Sequence, residues 1–145
     1  MFKHILLATD GSDLAQRAVD HGLALAKALG AKASAVTVTP SLATVAPGKA
    51  AVMIPMEDYV RATNENAAAI LASVEASAKR LGVDCALLHE RDQLPSEGIL
   101  AAAQGAGADL IVMSSHGRRG LERLFLGSQA QEVLTHSTIP VLICR

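Results

Sequence analysis

Leu110-Ile111-Val112-Met113-Ser114-Ser115-His116-Gly117-Arg118-Arg119-Gly120-Leu121-Glu122-Arg123-Leu124-Phe125-Leu126-Gly127-Ser128 passes from an apolar run, through a stretch of glycine and arginine, into a segment with helical spacing. A short continuous apolar run bounded by turn residues reads as a strand buried on both faces. The predicted strand spans Asp109 to Ser114, and the predicted helix runs from Gly127 to about Thr135. Glycines and small hydroxyl residues sit at both ends of the loop, with arginines between them. That layout gathers backbone N–H groups, a helix N-terminus and cationic side chains around one point, which suits a phosphate chain.

Working outward, the same alternation repeats along the chain. His4 to Thr9 is a second continuous apolar run, followed by the turn Asp10-Gly11-Ser12-Asp13. From Asp13 to Leu29 the residues Leu14, Ala18, Gly22, Leu25, Ala26 and Leu29 share one helical face, and Gly30 supplies a stop. Ala33 to Thr39 reads as a strand closed by Pro40. Pro40 to Met56 holds three prolines and Gly48 with no steady period, so it reads as a long loop. Val60, Ala67, Ile70, Leu71, Val74, Ala78 and Leu81 mark a helix over Glu57 to Leu81, ended by Gly82. Val83 to Glu90 is a strand, Pro95 to about Gln104 a short helix, and Ile139 to Cys144 a last strand.

Five strands alternating with four helices, without a break in composition, predict an α/β fold with a mostly parallel sheet in a single domain over residues 1–145. In such sheets ligands bind beyond the carboxyl ends of the strands, where the strand order switches. The turn after the first strand and the loop after the fourth are both placed to stand there.

Composition narrows the function classes. Half of the 145 residues are hydrophobic, 19% are charged and the net charge is -1, a globular profile without the basic footprint of a nucleic-acid binder. Aromatics make up 2%, which leaves no platform for stacking several bases. No apolar segment approaches membrane-spanning length, and the first residues lack the apolar core of a signal peptide. Cys85 and Cys144 lie far apart without metal-ligand spacing, and read as two buried thiols of a reducing compartment. The expectation is a cytoplasmic protein with no nucleic-acid or membrane partner.

Each candidate residue has a functional and a purely structural reading. Gly117 and Gly127 permit close approach of an anion to the main chain, or the positive φ of an anion nest; alone, each would be an ordinary turn glycine. Ser128 reads as an N-cap whose hydroxyl also reaches a phosphate oxygen. Arg118, Arg119 and Arg123 suit a polyphosphate, or equally a solvated face. His116 reads as structural. Asp10, at the end of the first strand, suits a ribose hydroxyl or an adenine amine, or caps the first helix. Val38 offers an apolar wall to a base, or belongs to the core.

Competing motifs fail on context. Gly48-Lys49-Ala50 lacks the upstream glycine and the hydroxyl of a Walker loop, and Gly105-Ala106-Gly107 precedes a strand instead of following one. There is no Gly-x-Ser-x-Gly elbow and no His-Glu-x-x-His helix, and no nucleophile has a base beside it in sequence.

At these residues the chain resembles the universal stress proteins, end to end. Their ATP-binding members carry Gly, two residues, Gly, nine residues, Gly, then Ser or Thr. Gly117, Gly127 and Ser128 match the last anchors, while Ser114 stands where the first glycine is expected. The start, Ile5 to Ser12, and the end, Ile139 to Ile143, also follow the family's style. The resemblance implies a Rossmann-like, five-stranded parallel sheet in the order 3-2-1-4-5, with helices on both faces and a homodimer formed through the last strand. It implies ATP, with or without Mg2+, as the ligand: Asp10 and Val38 at the adenosine, Met113 and Ser114 beside the ribose and phosphates, Gly117, Gly127 and Ser128 at the phosphates, with Arg118 alongside and Gln129 adding a backbone N–H. A positive φ at position 114 would strain the serine and shift this cradle.

The leading expectation is a dimeric, ATP-binding stress-response protein that signals through its nucleotide state to an unknown protein partner, with slow hydrolysis at most. The alternative is a nucleotide-independent dimer of the same family acting as a protein-interaction module. An adenylating enzyme would need a richer loop than Asp10 to Asp13, and a flavodoxin would need an aromatic pair to sandwich the flavin.

Overall fold

The computed structural model describes residues 1–117 and 125–145, so Arg118, Arg119 and Arg123 lie outside the described residues. In chain order the elements are β1 (His4–Ala8), α1 (Asp13–Leu29), β2 (Lys32–Thr39), α2 (Leu42–Val45), α3 (Lys49–Val52), α4 (Met56–Leu81), β3 (Cys85–Arg91), α5 (Pro95–Ala106), β4 (Leu110–Ser114), α6 (Ser128–His136) and β5 (Val141–Cys144). The strands form one parallel sheet in the order β3-β2-β1-β4-β5. This is the order the resemblance implies.

The central strand β1 shows why the apolar runs are continuous. Successive side chains point to opposite faces, and both faces are covered. Ile5 and Leu7 enter a core with Ala18, Val19 and Leu23 of α1 and Leu71 and Val74 of α4. Leu6 and Ala8 enter the opposite core, with Ile99 and Ala102 of α5 and Ala130 and Val133 of α6. Ile5, Leu6 and Leu7 are fully buried.

Local signals set the helix ends. Ser12 Oγ accepts from the Ala15 N–H at 3.2 Å and caps α1. Gly30, Gly82 and Gly107 close α1, α4 and α5 in the left-handed conformation, at φ 64°, 70° and 67°. At the amino edge of the sheet, the Asp109 carboxylate accepts from the Lys3 N–H at 2.8 Å and the His4 N–H at 3.0 Å, tying the start of β1 to that of β4.

Three sequence readings need correction. The buried stripe of α1 is Ala15, Ala18, Val19, Gly22, Leu23 and Ala26, so Leu14 and Leu25 stand only partly buried and Leu29 is exposed. Leucines occur on both sides of this helix, and the sheet selects the stripe with small residues that permits close approach. A Cβ on Gly22 would overlap Leu7 Cδ2. The stretch from Pro40 to Met56 is not simply a loop, since α2 and α3 each form a single turn there and Leu42 is buried. Helices of four residues are too short to show a period. The thiols of Cys85 and Cys144 are only partly buried, and they lie on opposite edge strands of the sheet. Among the described residues, no helix is long and apolar enough to cross a membrane.

Candidate functional site

The carboxyl ends of β1, β2 and β4 open into a cavity of about 790 Å³, at the point where the order turns from β2 to β4 on either side of β1. Volume and position suit a small-molecule ligand. Of the residues singled out from sequence, Asp10, Val38, Met113, Ser114, Gly117, Gly127, Ser128 and Gln129 all line it. Arg118 lies outside the described residues.

The β1 side is built by its turn. The Gly11 N–H donates to Thr9 Oγ1 at 3.1 Å, and the Ser12 N–H donates to Asp10 Oδ1 at 2.9 Å. Asp10 therefore fixes the turn before α1 while lining the cavity, and the cap of α1 that its structural reading expected falls to Ser12 instead. Across from it stands Gly117, where an added Cβ would come within 2.6 Å of Asp10 Oδ2.

On the β4 side, the two ends of the loop meet. The Gly127 N–H donates to the Ser115 carbonyl at 2.8 Å, and the Ser115 N–H donates to the Cys144 carbonyl of β5, also at 2.8 Å. A Cβ on Gly127 would lie 2.8 Å from that same Ser115 oxygen. Gly117 and Gly127 are thus required by close approach. Neither has a positive φ, so the nest geometry expected of them is not the reason for glycine.

Ser114 ends β4 without a positive φ, and its Oγ donates to the His116 carbonyl at 2.8 Å. The serine is accommodated without backbone strain, and its hydroxyl ties down the turn that follows. His116 Nδ1 pairs with Ser115 Oγ at 3.1 Å. Helix α6 starts one residue earlier than the cap reading of Ser128 supposed. Gly127 is its N-cap and Ser128 its first helical residue. Gly127 brings no side chain to cap α6, and among the described residues no side chain accepts from its first-turn N–H groups, which lie where Gly127, Ser128, Gln129 and Ala130 line the cavity.

The opposite wall is apolar: Val36 and Val38 of β2, Ile99 of α5, and Pro40 with Thr44 and Val45 from α2. Sequence reading missed Thr44 and Val45, hidden in the aperiodic stretch. It also missed Leu94 and Pro95, although a helix start directly after a parallel strand stands at the carboxyl side of the sheet. Gln129, expected to contribute its backbone N–H, also has a side-chain contact that the sequence did not disclose. Its side chain is engaged, with Oε1 accepting from the Ser96 N–H of α5 at 2.9 Å.

Among the described residues, the titratable groups lining the cavity are Asp10 and His116, and no cluster of three or more His, Cys, Asp or Glu could hold a metal ion. The site offers an apolar wall, one carboxylate and an uncapped helix N-terminus. These are means of binding a ligand that is apolar at one end and anionic at the other.

A parallel α/β sheet with such a crevice at its switch point defines an α/β binding fold of the Rossmann-like kind. Comparison with known proteins makes this specific. Residues 1–145 match the model of the universal stress protein family, and the chain belongs to that family. A universal stress protein of Thermus aquaticus is 39% identical, with all of both chains covered, and YxiE of Bacillus subtilis is 32% identical at the same coverage. Among solved structures, the protein MJ0577 superposes with a TM-score of 0.82 at 25% identity, covering 99% of this chain and 96% of that one. A universal stress protein in complex with cAMP gives 0.73 at 29% identity, covering 99% and 97%.

Proposed function

We propose that the cavity binds an adenine nucleotide, ATP with or without Mg2+, and that the protein works as a dimeric stress-response regulator whose nucleotide state is read by a protein partner. One observation carries this reading: Asp10 and the uncapped N-terminus of α6 face the same cavity, beside the apolar wall at Val38. A carboxylate suits ribose hydroxyls, an apolar wall suits a base, and free helix N–H groups suit phosphates. The related protein solved with cAMP supports the adenine class.

In this reading Asp10 and Val38 meet the adenosine, and Met113 and Ser114 flank the ribose and phosphates. Gly117, Gly127 and Ser128 hold the phosphates, with Arg118 alongside and the Gln129 N–H donating from α6. With Asp10 and His116 as its titratable groups among the described residues, the cavity holds ATP with slow turnover at most. The dimer forms through β5, an edge strand whose Leu142 is 42% exposed.

Isothermal titration with Mg-ATP tests the reading. Saturable one-site binding is expected, and silence at millimolar nucleotide refutes it. In a companion measurement, ATP at about a hundred times its Kd should add ~2.7 kcal/mol to the unfolding free energy.

A further inference from the structure

The geometry points to the side chain of Gln129 as a phosphate contact in its own right, beyond any backbone N–H of that residue. This inference rests on the nucleotide reading of the cavity. Gln129 is the second residue of α6 and lines the cavity. Its partner outside α6 is the N–H of Ser96, in the first turn of α5. A backbone N–H can only donate, so the amide atom 2.9 Å from it is the oxygen, and the orientation of the carboxamide is fixed by chemistry. The two N–H donors of Nε2 then have no protein partner among the described residues.

The amide thus spans the N-terminal turns of two helices that both border the cavity. At α5 it takes up a first-turn N–H that would otherwise seek an acceptor, while the Leu94 N–H is met by the Glu97 carboxylate at 3.3 Å. At α6 it adds donors next to main-chain N–H groups that no side chain caps among the described residues. A group with donors only, set beside a helix N-terminus, recognises an acceptor-rich anion. The anion is therefore directed to α6, and α5 is left to carry the apolar wall. The residue type matters, because an aliphatic side chain at 129 would leave the Ser96 N–H open and supply no donor.

Two-dimensional amide NMR on the full chain, with inorganic triphosphate, Mg-ATP and adenosine as probes, tests this together with Gln129→Glu and Gln129→Met. The glutamate keeps an acceptor for Ser96 but replaces the donors with negative charge. Triphosphate and ATP should each shift the Gln129 side-chain amide signal. Gln129→Glu should weaken both at least tenfold and adenosine less than twofold, and Gln129→Met should weaken triphosphate severalfold. If Gln129→Met fails to fold, Gln129→Glu carries the test. ATP binding with an unmoved Gln129 signal and an unchanged Gln129→Glu affinity overturns the inference and leaves the nucleotide reading intact. Triphosphate binding that moves the signal, with no binding of ATP, upholds the contact and overturns the nucleotide reading. No binding of either probe to the unaltered protein overturns both.

Discussion

Gly117 and Gly127 bracket the loop after β4, yet a methyl group would meet different neighbours at the two positions. At Gly127 it would lie 2.8 Å from a backbone carbonyl that is itself fixed by the Gly127 N–H. At Gly117 it would lie 2.6 Å from a side-chain carboxylate oxygen. Backbone yields less readily than a side chain. Gly127→Ala should therefore lower stability by about 1–3 kcal/mol, the usual cost of overpacking, whereas Gly117→Ala should cost less stability and chiefly weaken nucleotide binding by displacing Asp10. Urea denaturation and titration of both variants check the contrast; equal stability losses would contradict it. The positions of these glycines were legible from spacing, but their cause was not. A sequence shows that a residue is small without showing which distant atom requires it, and here Asp10 and Ser115 do. Ser114 is the converse case, since the expected strain depended on a φ that only the strand geometry supplies.

At the scale of elements, long strands and helices were legible because their apolar positions repeat often enough to reveal a period. The phase of α1 and the turns α2 and α3 were not. The first depends on which stripe the sheet accepts, the second on too few residues. Asp109 is an element-level tie, joining the starts of β1 and β4. Burial pushes its carboxyl up, but the N–H groups of Lys3 and His4, with its own, together hold it below the ordinary value. A carboxylate held low when folded adds stability that is present above its unfolded value, near pH 4, and is lost as pH falls through the folded one. Asp109→Asn should cost about 1 kcal/mol at pH 7, discounted for partial exposure. The gap should close towards pH 3, measured by urea unfolding at both pH values. A gap that stays constant would show that charge plays no part in the tie.

Across the whole molecule, the cavity draws on residues from Ala8 to Ala130, so no single motif could have disclosed its wall. The sheet order has a further consequence through its margins, where β3 carries Cys85 and β5 carries Cys144, the chain's two cysteines. Burial pushes the Cys85 thiol up to about 11 and raises that of Cys144 as well, so few thiolates exist at neutral pH while either margin stays closed. The protein thus carries its own pair of chemical clocks, one on each side. Alkylation rates followed by mass spectrometry would time the opening of the β3 and β5 margins separately. If copies join through β5, raising the protein concentration should slow labelling at Cys144 and leave Cys85 unchanged, whereas equal slowing at both would place the junction elsewhere.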